Sequence, residues 1–321
     1  MIQAISQLVV LASLSTVAPV DGLQLETLAQ EGYFQPLPIA AYQQQYAGLP
    51  LARTVDRSPV KVDVNSLGIV TTAPSTIVMD VATGDVLYAK QPDQLRTIGS
   101  VTKLMTALVF LEQGPDLSQV VQMGSEDIVY GGRIYLALND DISLEDVLAA
   151  SLVGSDNSAT EILMKSSGLT EQEFIHRMNE KALELGMVST QFADVTGLDP
   201  KNMSTARDLT QLLFAAESNG KIKQYTTSSE VTVQHASGRT VTIENTNGVL
   251  DSYLNTGDFS VEVGKTGYLP QAGYVLATMM KEKQHDIFVV VLGSDSKESR
   301  VAEVKGLADW AFRTFTWPEE G

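Results

Sequence analysis

Ser100 and Lys103 are the two residues whose types and spacing most directly suggest chemistry. Apolar residues recur at helical spacing after Ser100 and predict a helix that begins there or just before it. Residues three apart on a helix are neighbours on one face. A serine becomes a nucleophile when a base takes its proton, and a lysine of ordinary pKa, about 10.4, is a poor base at neutral pH. Burial, a helix N-terminus or a second cation would lower that pKa, so the pair predicts a nucleophile and base that need no histidine.

The Ser-x-x-Lys spacing is weak on its own, because it recurs at three other places: Ser58 with Lys61, Ser218 with Lys221, and Ser294 with Lys297. We interpret those three as solvated loops or helix starts. Only the pair at Ser100 opens a long apolar helical run. The functional interpretation of this pair must therefore rest on other residues of the chain.

Composition narrows the class of protein. A length of 321 residues allows two domains of about 150 residues or one larger domain, and 44% hydrophobic residues provide an ample core. The net charge of -17 argues against a nucleic-acid partner, for which a basic face is expected. The absence of cysteine excludes disulfides, thiol catalysis and cysteine metal sites, and it fits an exported protein as well as many cytosolic ones.

The three histidines are predicted to be surface residues: His176 in a polar helix, His235 before a turn, and His285 in a charged turn. None has a partner at metal-ligand spacing. A histidine-based triad or zinc site is therefore disfavoured, and we expect neither a metal nor an organic cofactor. By elimination, a lysine base becomes the stronger hypothesis.

The first 70 residues differ from the rest of the chain. Residues 1–18 are mostly apolar and resemble the core of a signal peptide, although no Lys or Arg precedes Arg53; an amphipathic helix or a wrongly assigned start are the alternatives. Residues 19–70 contain five prolines and a Gln43-Gln44-Gln45 run, which predicts a linker. We therefore expect a chain that begins near residue 70 to be soluble and active.

From residue 71 to 321 the patterns predict one α+β domain. Strands are expected at both ends, with helices between them and a closing amphipathic helix. This order favours a mixed three-layer fold: an antiparallel sheet built from both ends of the domain, flanking helices, and an inserted helical lobe. The predicted strands are 75–81, 86–89, 231–234, 240–243, 273–280 and 287–292; the predicted helices are 144–152, 158–165, 171–185, 205–216 (capped by Ser204) and 299–315.

Three short motifs stand in one order along this domain: Ser100-Val101-Thr102-Lys103, Ser155-Asp156-Asn157 and Lys265-Thr266-Gly267. The second and third are single occurrences. Each alone is compatible with a helix cap or a strand end. Together they resemble the signature of penicillin-binding proteins and class A β-lactamases.

The resemblance covers about residues 70–317 and is to the low-molecular-mass penicillin-binding proteins that act as D-alanyl-D-alanine carboxypeptidases or endopeptidases. It implies the penicillin-binding/β-lactamase-like fold. Further segments that are similar to that family flank the three motifs: Ala82-Thr83-Gly84-Asp85-Val86-Leu87-Tyr88, Thr196-Gly197-Leu198-Asp199-Pro200, Ser204-Thr205-Ala206-Arg207-Asp208, Asn245-Thr246-Asn247 and Ala272-Gly273-Tyr274.

The resemblance implies roles for the first two motifs. Ser100 would attack the carbonyl between two D-alanines and form an acyl-enzyme, while a neutral Lys103 would take the serine proton. Ser155 would relay a proton to the leaving amine, and Asn157 would hold the substrate amide and Lys103. We expect Asp156, the variable middle residue, to face away.

The third motif would bind the substrate. Lys265 would supply positive charge, Thr266 a hydroxyl to the substrate carboxylate, and Gly267 room for the substrate backbone. Alternation along a strand puts Lys265 and Gly267 on one face and Thr266 on the other, so both side chains can contribute only if a twist or bulge turns one of them. The backbone N–H groups of Ser100 and Tyr268 would form the oxyanion hole. Arg300 matches an arginine that helps to bind the terminal carboxylate; a plain surface arginine is the alternative.

Two other functions share these motifs. A class A β-lactamase would need a Glu-x-x-Leu-Asn loop for deacylation, and none occurs between Ser158 and Asn247. A catalytically weak module that binds wall peptides is the second alternative, against which the intact motif residues argue.

The resemblance also implies partners and location. The substrate would be peptidoglycan stem peptides outside the cytoplasmic membrane, in the periplasm or on the extracellular side, with β-lactams as covalent inhibitors. Carboxypeptidases of this family often carry a further β domain and a C-terminal anchor; we expect neither here, which favours an endopeptidase. Any membrane association would come loosely from the N-terminus.

Overall fold

The computed structural model of this protein describes residues 58–318. They lie in one compact unit, Asp56–Gly321. The predicted signal segment, residues 1–18, and most of the predicted linker lie outside the described residues.

The strands of the described part are, in chain order, β1 (Val60–Lys61), β2 (Ser75–Asp80), β3 (Val86–Lys90), β4 (Arg96–Thr97), β5 (Val120–Gln122), β6 (Asp141–Ser143), β7 (Met203–Ser204), β8 (Glu230–Gln234), β9 (Thr240–Glu244), β10 (Phe259–Leu269), β11 (Gly273–Glu282), β12 (His285–Ser294) and β13 (Phe315–Thr316).

The α-helices of the same part are α1 (Thr102–Glu112), α2 (Leu144–Val153), α3 (Asn157–Lys165), α4 (Glu171–Glu184), α5 (Ala206–Glu217), α6 (Gly220–Thr227) and α7 (Lys297–Thr314). Short 3₁₀ turns occupy Gly99–Val101, Ser125–Asp127 and Tyr253–Asn255. No helix of residues 58–318 is long and apolar enough to cross a membrane.

A five-stranded antiparallel sheet in the order β10-β11-β12-β2-β3 forms the middle layer. Strands β11 and β12 are continuous apolar runs with buried centres, because helices cover both of their faces. Helix α7 packs on one face, and helix α5 with the helical lobe packs on the other. The predicted three-layer α+β fold, with a sheet from both ends of the domain, is confirmed.

The helical lobe is the middle of the chain and surrounds α1, whose first nine residues are all buried. Helices α2 and α3 pack against each other and against α1. Side-chain caps explain where the lobe helices begin: Ser143 accepts from the N–H of Asp146, and Thr170 accepts from the N–H of Glu173. The lobe therefore fixes α1 from several sides.

The N-terminal boundary of the folded part lies before residue 70. Strand β1 pairs with β13, and the Val62 N–H donates to the carbonyl of Thr314 at 2.8 Å. The Trp310 indole donates to the Ser66 hydroxyl at 2.6 Å. Residues 60–66, which the sequence analysis assigns to the linker, thus contact the closing helix and strand.

Three local predictions differ from the structure. Thr205, not Ser204, caps α5, since its side chain accepts from the N–H of Asp208. The whole stretch Phe259–Leu269 is a strand, whereas only its Lys-Thr-Gly end was expected to be one, and Gly220–Thr227 is a helix that no pattern indicated. Strand β10 carries a bulge between Val261 and Val263, which shifts the alternation of its side chains.

Candidate active site

The 3₁₀ turn Gly99–Val101 places Ser100 where the sheet meets the lobe. Gly99 has φ +53°, and a Cβ at that position would lie 3.0 Å from the Tyr268 nitrogen on strand β10. A Cβ on Gly267 would lie 2.5 Å from the Ile98 oxygen and 3.0 Å from the Ser100 nitrogen. Glycine at both positions therefore allows the two backbones to come this close.

A third glycine brings a loop against the same turn. A Cβ on Gly197, which has φ +88°, would collide with the Gly99 oxygen. The Ile98 N–H donates to the Asn202 carbonyl at 3.1 Å. The turn that carries Ser100 is thus held between strand β10 and the loop 194–202.

Lys103 lies in the first turn of α1, three residues after Ser100, and is fully buried. Its Nζ lies 3.1 Å from the Ser100 Oγ, 2.7 Å from the Asn157 Oδ1 and 2.7 Å from the Thr196 carbonyl oxygen. The last two atoms can only accept hydrogen bonds. A neutral amine that donates to both of them has its lone pair left for the serine hydroxyl, which is the geometry that a general base requires.

Burial lowers the pKa of the Lys103 ammonium to about 7. The carboxylates of Asp194, Asp156 and Glu161 act in the opposite direction and keep it from falling further. Neutral and charged forms are therefore both populated near neutral pH.

Ser155, Asp156 and Asn157 join α2 to α3. Ser155 is half-buried and has φ +60°, an uncommon conformation for serine. The buried Asp156 carboxylate accepts from the N–H groups of Ala159, at 3.1 Å, and Tyr135, at 2.7 Å, and burial raises its pKa. Asp156 thus caps α3 and holds the backbone of a neighbouring loop, while Asn157 contacts Lys103.

Lys265 and Thr266 face opposite sides of strand β10, as alternation predicts, and the bulge lies earlier in the strand. Lys265 is buried, and burial together with the charges of Lys103 and Arg300 lowers its pKa well below the usual value. The Thr266 hydroxyl lies 2.6 Å from that of Thr246. The side chains of Lys265 and Thr266 therefore lie in different environments.

Arg300 is buried in the first turn of α7 and is not a surface arginine. Its Nη1 donates to the carbonyls of Gly267, at 3.2 Å, and Val275, at 3.3 Å, while its buried Nε has no hydrogen-bond partner within residues 58–318. Burial lowers its pKa to about 10. It links the closing helix to the strand that carries Gly267.

Three basic side chains thus converge on one region of an acidic protein. Within the described part of the chain, Lys103, Lys265 and Arg300 have no carboxylate ion-pair partner. The lowered pKa of Lys265 reflects the repulsion of the other two as well as burial. A site of this charge favours a ligand that brings a carboxylate.

Two supporting residues escaped the sequence analysis. Asp194 accepts from four consecutive backbone N–H groups, those of residues 196–199, and so shapes the loop that presents the Thr196 carbonyl to Lys103. An aspartate two residues before Thr196-Gly197 is a turn signal that would have pointed to it. Thr246 lies in the family-like segment Asn245-Thr246-Asn247, and no sequence pattern signals its contact with Thr266.

One prediction for the histidines was wrong. His235 is buried and lines a cavity of about 350 Å³ with Asp141 and Asp146, although it was expected at the surface. His176 is exposed as expected, and the half-buried His285 stacks on Trp317 at 4.9 Å. Among residues 58–318, no group of His, Asp or Glu has the geometry to hold a metal ion.

Comparison with known proteins bears on this arrangement. The family model described as D-alanyl-D-alanine carboxypeptidase matches residues 63–296. The chain belongs to this family. Members of this family are serine hydrolases. In this chain Lys103 contacts Ser100 and Asn157, and the backbone at Gly267 lies close to the turn that carries Ser100.

Relatives within the family include endopeptidases and carboxypeptidases. The chain is 35% identical to the D-alanyl-D-alanine endopeptidase of Haemophilus influenzae over 73% of this chain and 80% of that protein. It is 32% identical to the enzyme of the same name from Escherichia coli, over 74% and 76%. It is 28% identical to a D-alanyl-D-alanine carboxypeptidase, DacF, of Bacillus subtilis, over 76% and 63%.

Solved structures agree with the fold. The crystal structure of the Streptomyces K15 DD-transpeptidase superposes with a TM-score of 0.71 at 27% identity, covering 77% of this chain and 100% of that one. A penicillin-binding protein homologue from Mycobacterium tuberculosis gives 0.71 at 23% identity, over 79% and 96%, which shows the fold alone.

Proposed function

We propose that this family member is a serine D,D-peptidase that cleaves D-alanyl bonds of peptidoglycan stem peptides through an acyl-serine intermediate. The observation that carries this proposal is the buried Lys103, whose Nζ contacts the Ser100 hydroxyl while two pure acceptors take its N–H groups. That arrangement leaves a lone pair for the serine proton near neutral pH.

Acylation follows from these positions. The Ser100 oxygen attacks the D-alanyl carbonyl as Lys103 takes its proton, and a serine C–O bond forms. The N–H groups of Ser100 and Tyr268, on facing backbones, receive the negative charge on the carbonyl oxygen. The C–N bond then breaks, and the proton passes from Lys103 through Ser155 to the leaving amine.

Binding of the leaving residue uses the sheet edge. Its carboxylate is held by the Thr266 hydroxyl and the charges of Lys265 and Arg300, which have no carboxylate of their own within residues 58–318. Asn157 holds the amide of the acyl half as well as Lys103. The carboxylate would also raise the pKa of Lys265 and so favour its charged form.

Deacylation returns the serine. Water attacks the ester, Lys103 accepts its proton, and the Ser100 C–O bond breaks with the proton returned to the serine oxygen. A β-lactam acylates Ser100 in the same way, but its amine stays tethered to the acyl group and obstructs water. We therefore expect β-lactams to be covalent inhibitors, and no metal or organic cofactor enters this scheme.

Within this class we propose D,D-endopeptidase activity on cross-linked peptides, with carboxypeptidase activity as the alternative. Relatives named endopeptidases reach 35% and 32% identity, whereas relatives named carboxypeptidases reach 28% to 31%. The protein would act outside the cytoplasmic membrane, in the periplasm or on its outer side. Any loose membrane association would come from residues 1–18.

The decisive experiment is intact-protein mass spectrometry after incubation with benzylpenicillin, on the wild type and on Ser100→Ala. We expect a stable penicilloyl adduct on the wild type alone. Liquid chromatography of released D-alanine, and of cleaved cross-linked dimer, then separates carboxypeptidase from endopeptidase activity.

Two outcomes would support the alternatives. Destroyed penicillin without an adduct means fast deacylation and a β-lactamase. Intact penicillin without an adduct, with wall peptides bound but not cleaved, means a binding module.

A further inference from the structure

A loop of the lobe lies against the Ser-Asp-Asn motif and is tied to it at both ends. The Val129 N–H donates to the Ser158 hydroxyl at 2.9 Å. The Tyr135 N–H donates to the Asp156 carboxylate at 2.7 Å. The five residues between these ties, 130–134, are all exposed and make no hydrogen bond or ion pair within the described part of the chain. The loop therefore has a fixed position, and the polar groups of its middle are available to a ligand.

Two glycines bring this loop to the amide of Asn157. Gly131 has φ +113°, and a Cβ there would lie 3.6 Å from the Asn157 Nδ2. A Cβ on Gly132 would lie 3.4 Å from the same atom. The other end of this amide, Oδ1, lies 2.7 Å from the Lys103 Nζ. The glycine pair thus contacts the part of Asn157 that Lys103 leaves free.

An aromatic side chain and a cation flank the glycine pair. Tyr130 is 80% exposed, and Arg133 is exposed as well. The chain has 39 acidic and 22 basic residues, yet Arg133 pairs with no carboxylate among the described residues. A guanidinium presents paired N–H donors that match the two oxygens of a carboxylate. The loop therefore offers an apolar surface and a cation that can bind an acidic ligand.

We propose that Arg133 is a specificity-determining residue that binds a free side-chain carboxylate on the acyl half of the stem peptide. This inference rests on the proposed function and names the part of the substrate that the loop contacts. The leaving half lies elsewhere in the proposed scheme, at Lys265, Thr266 and Arg300.

The role of Asn157 determines which substrate residue lies beside the loop. In the proposed scheme Asn157 holds the amide that joins the acyl D-alanine to the residue before it. Its Nδ2 only donates, so it binds the carbonyl of that preceding residue. The preceding residue therefore lies next to Gly132, whose Cα is about 3.8 Å from that of Arg133. Arg133 is the one cation of residues 129–135.

The experiment compares two forms of one substrate on the full chain. The residue before the acyl D-alanine carries a free side-chain carboxylate in the first form and the corresponding amide in the second. Both forms are prepared as a pentapeptide that ends in D-Ala-D-Ala and as a cross-linked dimer, because the acyl half is common to the two reactions. The ratio of kcat/KM between the carboxylate and amide forms is measured for the wild type, Arg133→Gln, Arg133→Lys and Lys283→Gln.

We expect the wild type to prefer the carboxylate form about fivefold, and this preference to disappear in Arg133→Gln. Arg133→Lys should keep part of it, since the charge remains without the paired donors. Lys283→Gln is the matched control, because it removes an exposed cation from the turn that follows β11, and it should keep the full preference. At about 1 M salt, where the Debye length is roughly 3 Å, the wild-type preference should fall below about twofold.

Four outcomes would overturn the proposal. Equal rates on the two forms would show that the wild type has no site for this carboxylate, while the D,D-peptidase function would stand. A preference that survives in Arg133→Gln would assign the carboxylate to another cation. An equal loss of preference in Lys283→Gln would assign it to the net charge of the protein. A wild type that forms no penicilloyl adduct and cleaves no peptide would refute the proposed function and this inference with it.

Discussion

Two buried lysines stand on opposite sides of the Ser100 turn, and their surroundings differ. Lys103, on the lobe side, has three acceptors in contact and three carboxylates in its electrostatic neighbourhood, and its pKa is about 7. Lys265, on the sheet side, contacts one carbonyl at 3.4 Å, faces two other cations, and has a pKa well below the usual value. The two lysines thus lie in different electrostatic environments.

In the proposed mechanism this difference separates a base from a binding group. A lysine with fixed acceptors and a pKa near neutrality can exchange a proton in every catalytic cycle. A buried lysine without a counterion can bind an anionic ligand, and a substrate carboxylate is such a ligand. This division can be tested by five experiments, from the largest expected effect on activity to the smallest.

Removal of the base should have the largest effect. We expect Lys103→Met to lower the acylation rate about 100- to 10,000-fold, since the serine proton loses its acceptor. The free energy of unfolding should change little, because relief from burying the amine offsets the loss of a donor to the Asn157 and Thr196 oxygens. Stopped-flow acylation and urea unfolding measure the two quantities. An acylation rate that stays within tenfold would assign the base to another group.

Removal of the binding lysine should act through the substrate carboxylate. We expect Lys265→Met to lower kcat/KM about 100-fold for a peptide with a free terminal carboxylate. When the terminal carboxylate of that peptide is replaced by an amide, kcat/KM of the wild type should fall by a similar factor. The variant should lose little further activity on the amide. If the loss from the Lys265 substitution and the loss from the amide simply added up, Lys265 would not bind the substrate carboxylate.

The close contact between the two sides can be disturbed at Gly267. A Cβ there would lie 2.5 Å from the Ile98 oxygen and 3.0 Å from the Ser100 nitrogen, so Gly267→Ala should lower the acylation rate at least about tenfold and the free energy of unfolding by about 1 to 3 kcal/mol. Gly220→Ala is the matched control, since nothing lies within 4 Å of its Cβ. Equal behaviour of the two variants would show that the contact is unimportant.

The pKa of Lys103, about 7, fixes the sign of the pH dependence. Lys103 is the base only when it is neutral, so acylation should rise with pH through about 7 and then level off. At pH 6 about a tenth of the molecules carry the neutral amine, and the rate should be about a tenth of the plateau. Circular dichroism at pH 6 controls for unfolding. A flat profile between pH 6 and 8 would be incompatible with this role.

Residues far from both lysines should matter least for acylation. A chain that begins at residue 70 loses the β1–β13 pairing and the Ser66–Trp310 hydrogen bond. Compared with a chain that begins at residue 58, its free energy of unfolding should fall by about 1 to 3 kcal/mol, with an acylation rate within about twofold. A chain from residue 70 that does not fold would show that residues 58–69 are an essential part of the domain.

Local patterns predicted most of the fold, because they depend on residues close in sequence. The period of the apolar residues after Ser100 indicated helix α1, and the apolar run at 287–292 indicated strand β12. Local patterns did not predict features that depend on a partner far away in the sequence. Strand β10 is ordered by pairing with β11, and the burial of His235 follows from the packing of its hairpin against the strand 141–143.

The sequence by itself determined the motif residues, their order, the helix that carries Ser100 and Lys103, and the α+β class. Tertiary structure alone decided that Lys103 is buried against Asn157 and Thr196, that Arg300 is buried beneath the strand edge, and that Lys265 has no counterion within residues 58–318. The physical reason is that the charge state of an amine depends on desolvation and on nearby charges. Both come here from residues tens to hundreds of positions away, which only the fold brings together.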